Sequence, residues 1–240
     1  MTLDIEAVGA AFLFILKALP NTLFIPAVTM LGGIVLGTLV AIVRLHSFRG
    51  SRAVHAALAV WVSFVRAVPA IVQIFIMYYS LPYLLAPVLG FFAGREVKPY
   101  DVSPYWTAYL FFIIYQTAYQ SENIRGALLA VSKGQYEAAV SVGLSPLTAY
   151  RRIILPQAFV VALPSFFTYY LHGIKGLALL FTIRVVDIFA AADIFAALYS
   201  RRSEPYLADA FLYWLLCLAL TWCFNKWEDA LRSKGLAKRI

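Results

Sequence analysis

Five long apolar stretches with few charged side chains limit the folds that this chain can adopt. A helix needs about 20 consecutive apolar residues to cross the hydrocarbon core of a bilayer, and these stretches have about that length. The second stretch is interrupted by Arg66 and Pro69. The sequence therefore predicts an all-α membrane protein, folded as a single domain over residues 1–240. Its five transmembrane spans are predicted at residues 18–43, 53–81, 102–121, 156–183 and 205–226.

Composition and charge distribution support this prediction and suggest an orientation. Charged residues make up 13% of the chain, against about 25% in soluble proteins. The net charge of +8 is explained by basic residues that collect on the cytoplasmic side of a membrane, so no nucleic-acid partner is predicted. With the amino terminus outside and the carboxyl terminus in the cytoplasm, twelve basic residues lie inside and six outside.

The segments that flank the spans have their own signatures. Residues 4–17 place Ile5, Val8, Phe12 and Ile15 on one helical side, which predicts an interfacial amphipathic helix. Residues 86–104 are rich in Pro and Gly and predict an exterior loop, and residues 187–199 predict an exterior amphipathic helix. No signal peptide is evident. Cys217 and Cys223 are expected to be apolar fillers, since a spacing of six puts them on different sides of a helix.

A cytoplasmic loop at residues 125–155 contains the most informative local pattern. Glu137, Ala138 and Ala139 favour a short helix, Gly143 permits a left-handed turn, and Ser145-Pro146 is a typical helix start. The pattern predicts a helix, a break and a second helix. Because it lies between two apolar runs, this stretch is expected to stand out of the membrane and meet a soluble protein.

The spacing from Glu137 through Gly143 and Ile153 to Leu155-Pro156 resembles the EAA signature of permease subunits of ATP-binding cassette (ABC) importers. FVRAVPAIVQIFIMYYSLP and AYQSENIRGALLAVSKGQ are similar to patterns of the polar amino-acid branch of that family. The resemblance implies the type I ABC importer permease (MetI-like) fold, with alternating access as the mechanism, in a bacterial cytoplasmic (inner) membrane. Ala67 and Val68 depart from the Gly and Thr usual before Pro69.

The same resemblance implies partners and a coupling site. The partners are two ABC ATPase subunits, an extracytoplasmic amino-acid-binding protein and a second permease, either another copy or a related chain. ATP and Mg would be bound by the ATPase partner, and no cofactor is expected in this chain. The implied coupling residues of the EAA loop are Gln135, Tyr136, Glu137, Ala138, Ala139, Gly143, Leu155 and Pro156.

Polar residues inside the predicted spans are candidates for the substrate path, because a buried Lys costs about 2.5–3.5 kcal/mol at the bilayer centre. Lys175 matches the Lys of a family pattern in which Asp follows, whereas Gly176 stands here. The absence of that carboxylate favours a neutral substrate over arginine or lysine. The segment LALLFTIRVVDIF resembles permeases of the cystine subgroup. The candidate path residues are Gln73, Glu122, Lys175, Gly176 and Leu177, and the candidate gate or hinge residues are Arg66, Pro69 and Pro164. Lys175 could instead pair with Glu122 or extend towards an interface.

Sequence motifs of catalysis are absent. The chain contains no phosphate-binding G-x-x-x-x-G-K-[ST] loop, and its three histidines are scattered. The chain is therefore predicted not to be an enzyme, so that ATP hydrolysis belongs to a partner. A gradient-driven secondary amino-acid carrier or channel is the alternative hypothesis, and a purely structural membrane subunit is a third.

Overall fold

The computed structural model describes residues 4–45 and 52–233, with side chains described up to residue 230, and this part of the chain is helical throughout its regular structure. Basic residues of the predicted cytoplasmic side that fall at 46–51 or beyond 230 lie outside the described side chains. The α-helices are α1 Ile5–Leu16, α2 Leu19–Leu45, α3 Arg52–Ala67, α4 Ala70–Ala93, α5 Pro104–Ala130, α6 Lys133–Ser141, α7 Pro146–Ala149, α8 Leu155–Gly176, α9 Ile188–Leu198 and α10 Glu204–Ser233.

The centre of the fold is the close pairing of α2 with α5. A Cβ atom built on Gly33 would lie 2.5 Å from Cβ of Gln116, and one on Gly37 would lie 2.9 Å from the backbone N of Ser121. Neither position therefore has room for a side chain, and the two backbones approach closely in the way that small residues allow in membrane helices. The GGxxxG pattern of α2 serves helix packing.

Four described helical segments are long and apolar enough to cross a membrane: Leu19–Leu45, Ala70–Ala93, Pro146–Ile183 and Glu204–Ala230. The third predicted span, 102–121, begins two residues before α5 and otherwise lies within this helix, which is 27 residues long. The buried polar residues Thr107, Gln116, Thr117 and Gln120 reduce the hydropathy of α5. Because much of α5 is buried against other helices, its sequence does not need the apolar character of the four other segments.

Two predicted boundaries were wrong. The second span, 53–81, is two helices, because α3 ends at Ala67 and α4 begins after Pro69. The predicted loop at 86–104 begins later, because α4 continues through Pro82 and Pro87 to Ala93 and ends at Gly94, whose φ of 63° closes the helix. Proline is tolerated inside membrane helices, so prolines that would predict a loop in a soluble protein did not end this helix.

One end of the molecule is closed by α1, α9 and α10, which share a core built from Ile15, Ile188, Phe195 and Leu212. Asp187 caps α9 by accepting a hydrogen bond from the Ala190 N–H at 2.9 Å, and it accepts a second from the Tyr213 hydroxyl at 3.0 Å. Burial raises the pKa of Asp187, and these two hydrogen bonds partly oppose that rise. The predicted amphipathic segments 4–17 and 187–199 correspond to α1 and α9, whose apolar faces are buried against each other.

Candidate coupling loop and translocation face

Helix α6 has a sharp end that is determined locally. The Leu144 N–H donates to the Ala139 carbonyl at 3.1 Å, and the Gly143 N–H donates to the Val140 carbonyl at 2.9 Å. Together these bonds form a Schellman motif, in which the residue after the helix adopts a left-handed conformation. Gly143 has a φ of 84°, which only glycine adopts without strain. The break expected at Gly143 is therefore present.

Beyond the break the chain restarts as a helix and runs into the membrane segment. The Ser145 hydroxyl accepts a hydrogen bond from the Thr148 N–H at 3.3 Å and so caps α7. Residues Tyr150–Ile154 form a π-helical turn before α8. Pro156 has no N–H to donate to the carbonyl four residues earlier, which accounts for this widened turn. A rigid helical connection thus joins the break to α8.

The outer surface of this loop offers an uncovered docking face. Glu137 and Ala138 are exposed, whereas Ala139 is buried beneath them. Val142 and Leu147 are 77% and 79% exposed at the tip, and Tyr136 packs on Tyr150 with ring centroids 5.6 Å apart. Within residues 4–45 and 52–233 the Glu137 carboxylate makes no ion pair. An apolar tip beside an uncompensated carboxylate is a surface suited to a protein partner.

Val142 and Leu147 were missed by sequence reasoning, although two apolar residues at the turn of an otherwise polar loop are a usable signal. Of the other predicted coupling residues, Gln135, Leu155 and Pro156 are exposed. Nε2 of Gln157 donates to the side-chain Oε1 of Gln135 at 3.5 Å, which links α6 to α8. The structure therefore gathers the predicted residues of the EAA loop into one hairpin.

Helix α8 presents a polar stripe on its outer face. Thr168, His172 and Lys175 recur every three or four residues and are exposed in the single chain, as are Pro164 before them and Leu179 in the 3₁₀ segment that follows α8. In the described part of the chain Lys175 makes no ion pair with Glu122, so that alternative was wrong. A lysine and a histidine in a span are expected to face a wet cavity or another subunit. Thr168 and His172 lie on this face together with Lys175 and were missed by sequence reasoning. The four-residue spacing of Thr168 and His172 could have indicated that they share a helix face.

Gln73 does not lie on that face. Its side chain is buried, and Nε2 donates to the Val65 carbonyl at 2.9 Å and to the Val68 carbonyl at 2.8 Å. These carbonyls belong to the end of α3, where Pro69 prevents the helix from continuing. Gln73 therefore stabilises the break between α3 and α4. Its side chain makes a structural contact and does not face an open path.

Glu122 is likewise occupied. It forms a salt bridge with Arg44 of α2 and accepts from Nη2 and Nε of Arg125 at 2.7 and 3.1 Å. Arg66 lies nearby, with its guanidinium 5.7 Å from the ring centroid of Tyr119. The structure thus brings Glu122 and Arg66 to one cavity, whose lining does not include Gln73.

The remaining predicted residues divide between core and surface. Leu177 is fully buried in the core around Phe111 and Phe112, and a Cβ on Gly176 would lie 3.6 Å from Cε1 of Phe112. Leu177 is therefore a packing residue, which corrects its assignment to the substrate path. Pro164 is exposed, and α8 continues through it without ending.

The chain is similar to known transport proteins over most of its length. The family model described as "Binding-protein-dependent transport system inner membrane component" matches residues 33–232. The "Probable amino-acid permease protein YxeN" of Bacillus subtilis is 33% identical over 230 residues, covering 96% of both chains. The "L-cystine transport system permease protein TcyL" of the same organism is 31% identical, covering 96% of this chain and 92% of the relative.

A solved structure shares the fold. The match is to the crystal structure of an amino acid ABC transporter with histidines, with a TM-score of 0.80 at 24% identity, covering 96% of this chain and 100% of the other. This likeness shows that the two chains share the same fold. By its sequence match, the chain belongs to the family of inner membrane components of binding-protein-dependent transport systems.

Proposed function

We propose that this chain is the permease subunit of an ATP-driven amino-acid importer and couples to its ATPase through the hairpin of α6 and α7. The observation that carries the proposal is the exposed surface of Glu137, Val142 and Leu147, which no other described part of the chain covers. The amino-acid permeases among its relatives support the substrate class.

The mechanism follows from the rigid connection between hairpin and span. A displacement of α6 is transmitted through α7 and the π-helical turn to α8, because these segments are continuous from Pro146 to Ile183. Two ATPase subunits that approach each other on binding ATP and Mg would move two such hairpins together. The exposed α8 faces of the two permeases would then open to the other side of the membrane, which is alternating access.

The assembly and topology are part of the same proposal. Five spans, an outside amino terminus and a cytoplasmic carboxyl terminus put the hairpin in the cytoplasm, in agreement with the charge distribution. Two permease chains, identical or related, are needed because the polar α8 stripe of one chain has no cover of its own. An extracytoplasmic binding protein would deliver the substrate to the opposite end, where α1 and α9 lie.

For the substrate we propose cystine or another neutral polar amino acid. The exposed α8 stripe of Thr168, His172 and Lys175 contains no carboxylate that would pair with a cationic side chain. Lys175 supplies an ammonium that can pair with a substrate carboxylate. The relative named for L-cystine transport supports this choice.

The test is uptake into proteoliposomes that contain this chain and its ATPase, with ATP inside and the binding protein and labelled amino acid outside. Uptake is expected to require ATP, to be competed by cystine rather than arginine, and to be abolished by Glu137→Lys. Glu96→Lys, which reverses an exposed charge in the loop after α4, is the matched control and is expected to transport normally. Uptake that ignores ATP and follows an ion gradient would refute the proposal and favour a secondary carrier.

A further inference from the structure

A cavity of about 460 Å³ opens between α2, α3 and α5, separate from the α8 stripe and from the coupling hairpin. Its polar lining consists of Arg44, Ser63, Arg66, Tyr119 and Glu122. Arg44 is in the last turn of α2, and Glu122 lies about two turns before α5 ends and leads into α6. The cavity therefore lies at the same end of the spans as the hairpin.

The charges around this cavity do not cancel. The one carboxylate, Glu122, already pairs with two guanidinium groups, those of Arg44 and Arg125. Arg66 makes no hydrogen bond or ion pair with any residue in the described ranges and is left with the Tyr119 ring. The lining itself has one carboxylate and the two guanidinium groups of Arg44 and Arg66, a net charge of +1, and Arg125 adds a third guanidinium beside Glu122.

The backbone around Arg66 is held by the surrounding structure. The turn of α3 that carries it ends at Pro69, and the buried Gln73 amide holds the carbonyls of Val65 and Val68 on either side. Tyr119 is itself held by a hydrogen bond of 3.2 Å with the Tyr115 hydroxyl. The backbone that carries Arg66 and the ring beside its guanidinium are thus in place before a ligand binds, which limits what binding has to order.

This arrangement distinguishes between ligand classes. An amino-acid zwitterion needs a free carboxylate for its ammonium, and Glu122 is already neutralised. An oxyanion needs only donors, and guanidinium groups bind phosphate with paired hydrogen bonds. On the neighbouring surface of α3, Val60 and Phe64 are 69% and 53% exposed, and they offer an apolar path for an acyl chain.

We propose that this cavity binds the phosphate of an anionic phospholipid, with Arg66 and Arg44 as its donors and the acyl chain along Val60 and Phe64. Basic pockets between membrane helices are known to hold anionic headgroups on the cytoplasmic side. Bound there, the lipid would tie α3 to the α2–α5 pair. The contacts that α3 itself makes with this pair are few. The site is independent of the amino-acid specificity proposed above.

The test is native mass spectrometry of the chain purified with its ATPase, after addition of equal amounts of phosphatidylglycerol and phosphatidylcholine. Phosphatidylglycerol is expected to remain bound in preference. Arg66→Gln should weaken its apparent affinity about tenfold, and Arg95→Gln, at an exposed site in the loop after α4, should leave it unchanged. Ser63→Asp keeps Arg66 but adds a carboxylate to the lining, and the same loss is expected.

Three results would overturn the proposal. The first is equal retention of the two lipids. The second is phosphatidylglycerol binding that survives both Arg66→Gln and Ser63→Asp. The third is displacement of the lipid by inorganic phosphate at a similar concentration, which would make a free anion the ligand. If Arg66→Gln does not assemble with the ATPase, Ser63→Asp decides alone, because it leaves the guanidinium groups in place.

Discussion

The close approach of α2 and α5 predicts that one substitution, Gly→Ala, has opposite effects at two positions. At Gly33 the new methyl carbon would lie 2.5 Å from Cβ of Gln116 and 3.0 Å from its backbone carbon. Contacts this short cannot be kept, so the helices must separate. At Gly126 in α5, nothing lies within 4 Å of the new carbon.

The magnitudes follow from these distances. Overpacking a tight contact costs about 1–3 kcal/mol, while replacing a helical glycine by alanine gains about 0.5–1 kcal/mol. Gly33→Ala is therefore expected to lower the free energy of unfolding by about 1–2 kcal/mol, and Gly126→Ala to raise it by up to about 1 kcal/mol. The two variants carry the same chemical change, so the difference between them reports the helix contact alone.

The assay is thermal unfolding of the purified chain in detergent, followed by tryptophan fluorescence. Gly33→Ala should have a lower Tm than the unchanged chain, and Gly126→Ala a Tm that is equal or higher. If Gly33→Ala is as stable as Gly126→Ala, α2 and α5 are not in the close contact described, and the assignment of the GGxxxG face to packing is refuted.

Three further predictions concern the break, the hairpin and the stripe. Gln73→Leu removes two buried hydrogen bonds of about 1 kcal/mol each and should lower Tm without changing the substrate preference. If Tm is unchanged, Gln73 does not hold the α3–α4 break. Gly143→Ala places a side chain at a φ of 84°, costs about 1 kcal/mol and should reduce ATP-driven uptake. Gly134→Ala, which has room for the methyl group, should not reduce uptake. An equal loss of uptake in the two variants would contradict a role for the left-handed turn. Lys175→Glu should shift competition from neutral towards cationic amino acids, whereas Lys98→Glu in the loop after α4 should leave the profile of competing substrates as it was.

Local sequence accounts for much of the fold and of the coupling hairpin. The uncharged runs predict helices because a spanning backbone must satisfy its hydrogen bonds internally. The hairpin was predictable because Gly143 and Ser145 act on their immediate neighbours. Prolines were a poorer guide: Pro69 ends a helix, whereas Pro82, Pro87 and Pro164 lie within helices. Whether a proline breaks a helix depends on what satisfies the freed carbonyl, and that is not a local property.

The sequence by itself determined the helical class, the hairpin and the family. Only the tertiary structure decided what the polar residues contact, because their partners are distant in the chain. Glu122 pairs with Arg44, 78 positions away, a contact that sequence spacing does not reveal. Lys175 lies on an exposed face of α8, and Leu177, two residues later, is in the core. Helical periodicity puts these two residues on different faces, but which face meets the protein is decided by the packing of helices.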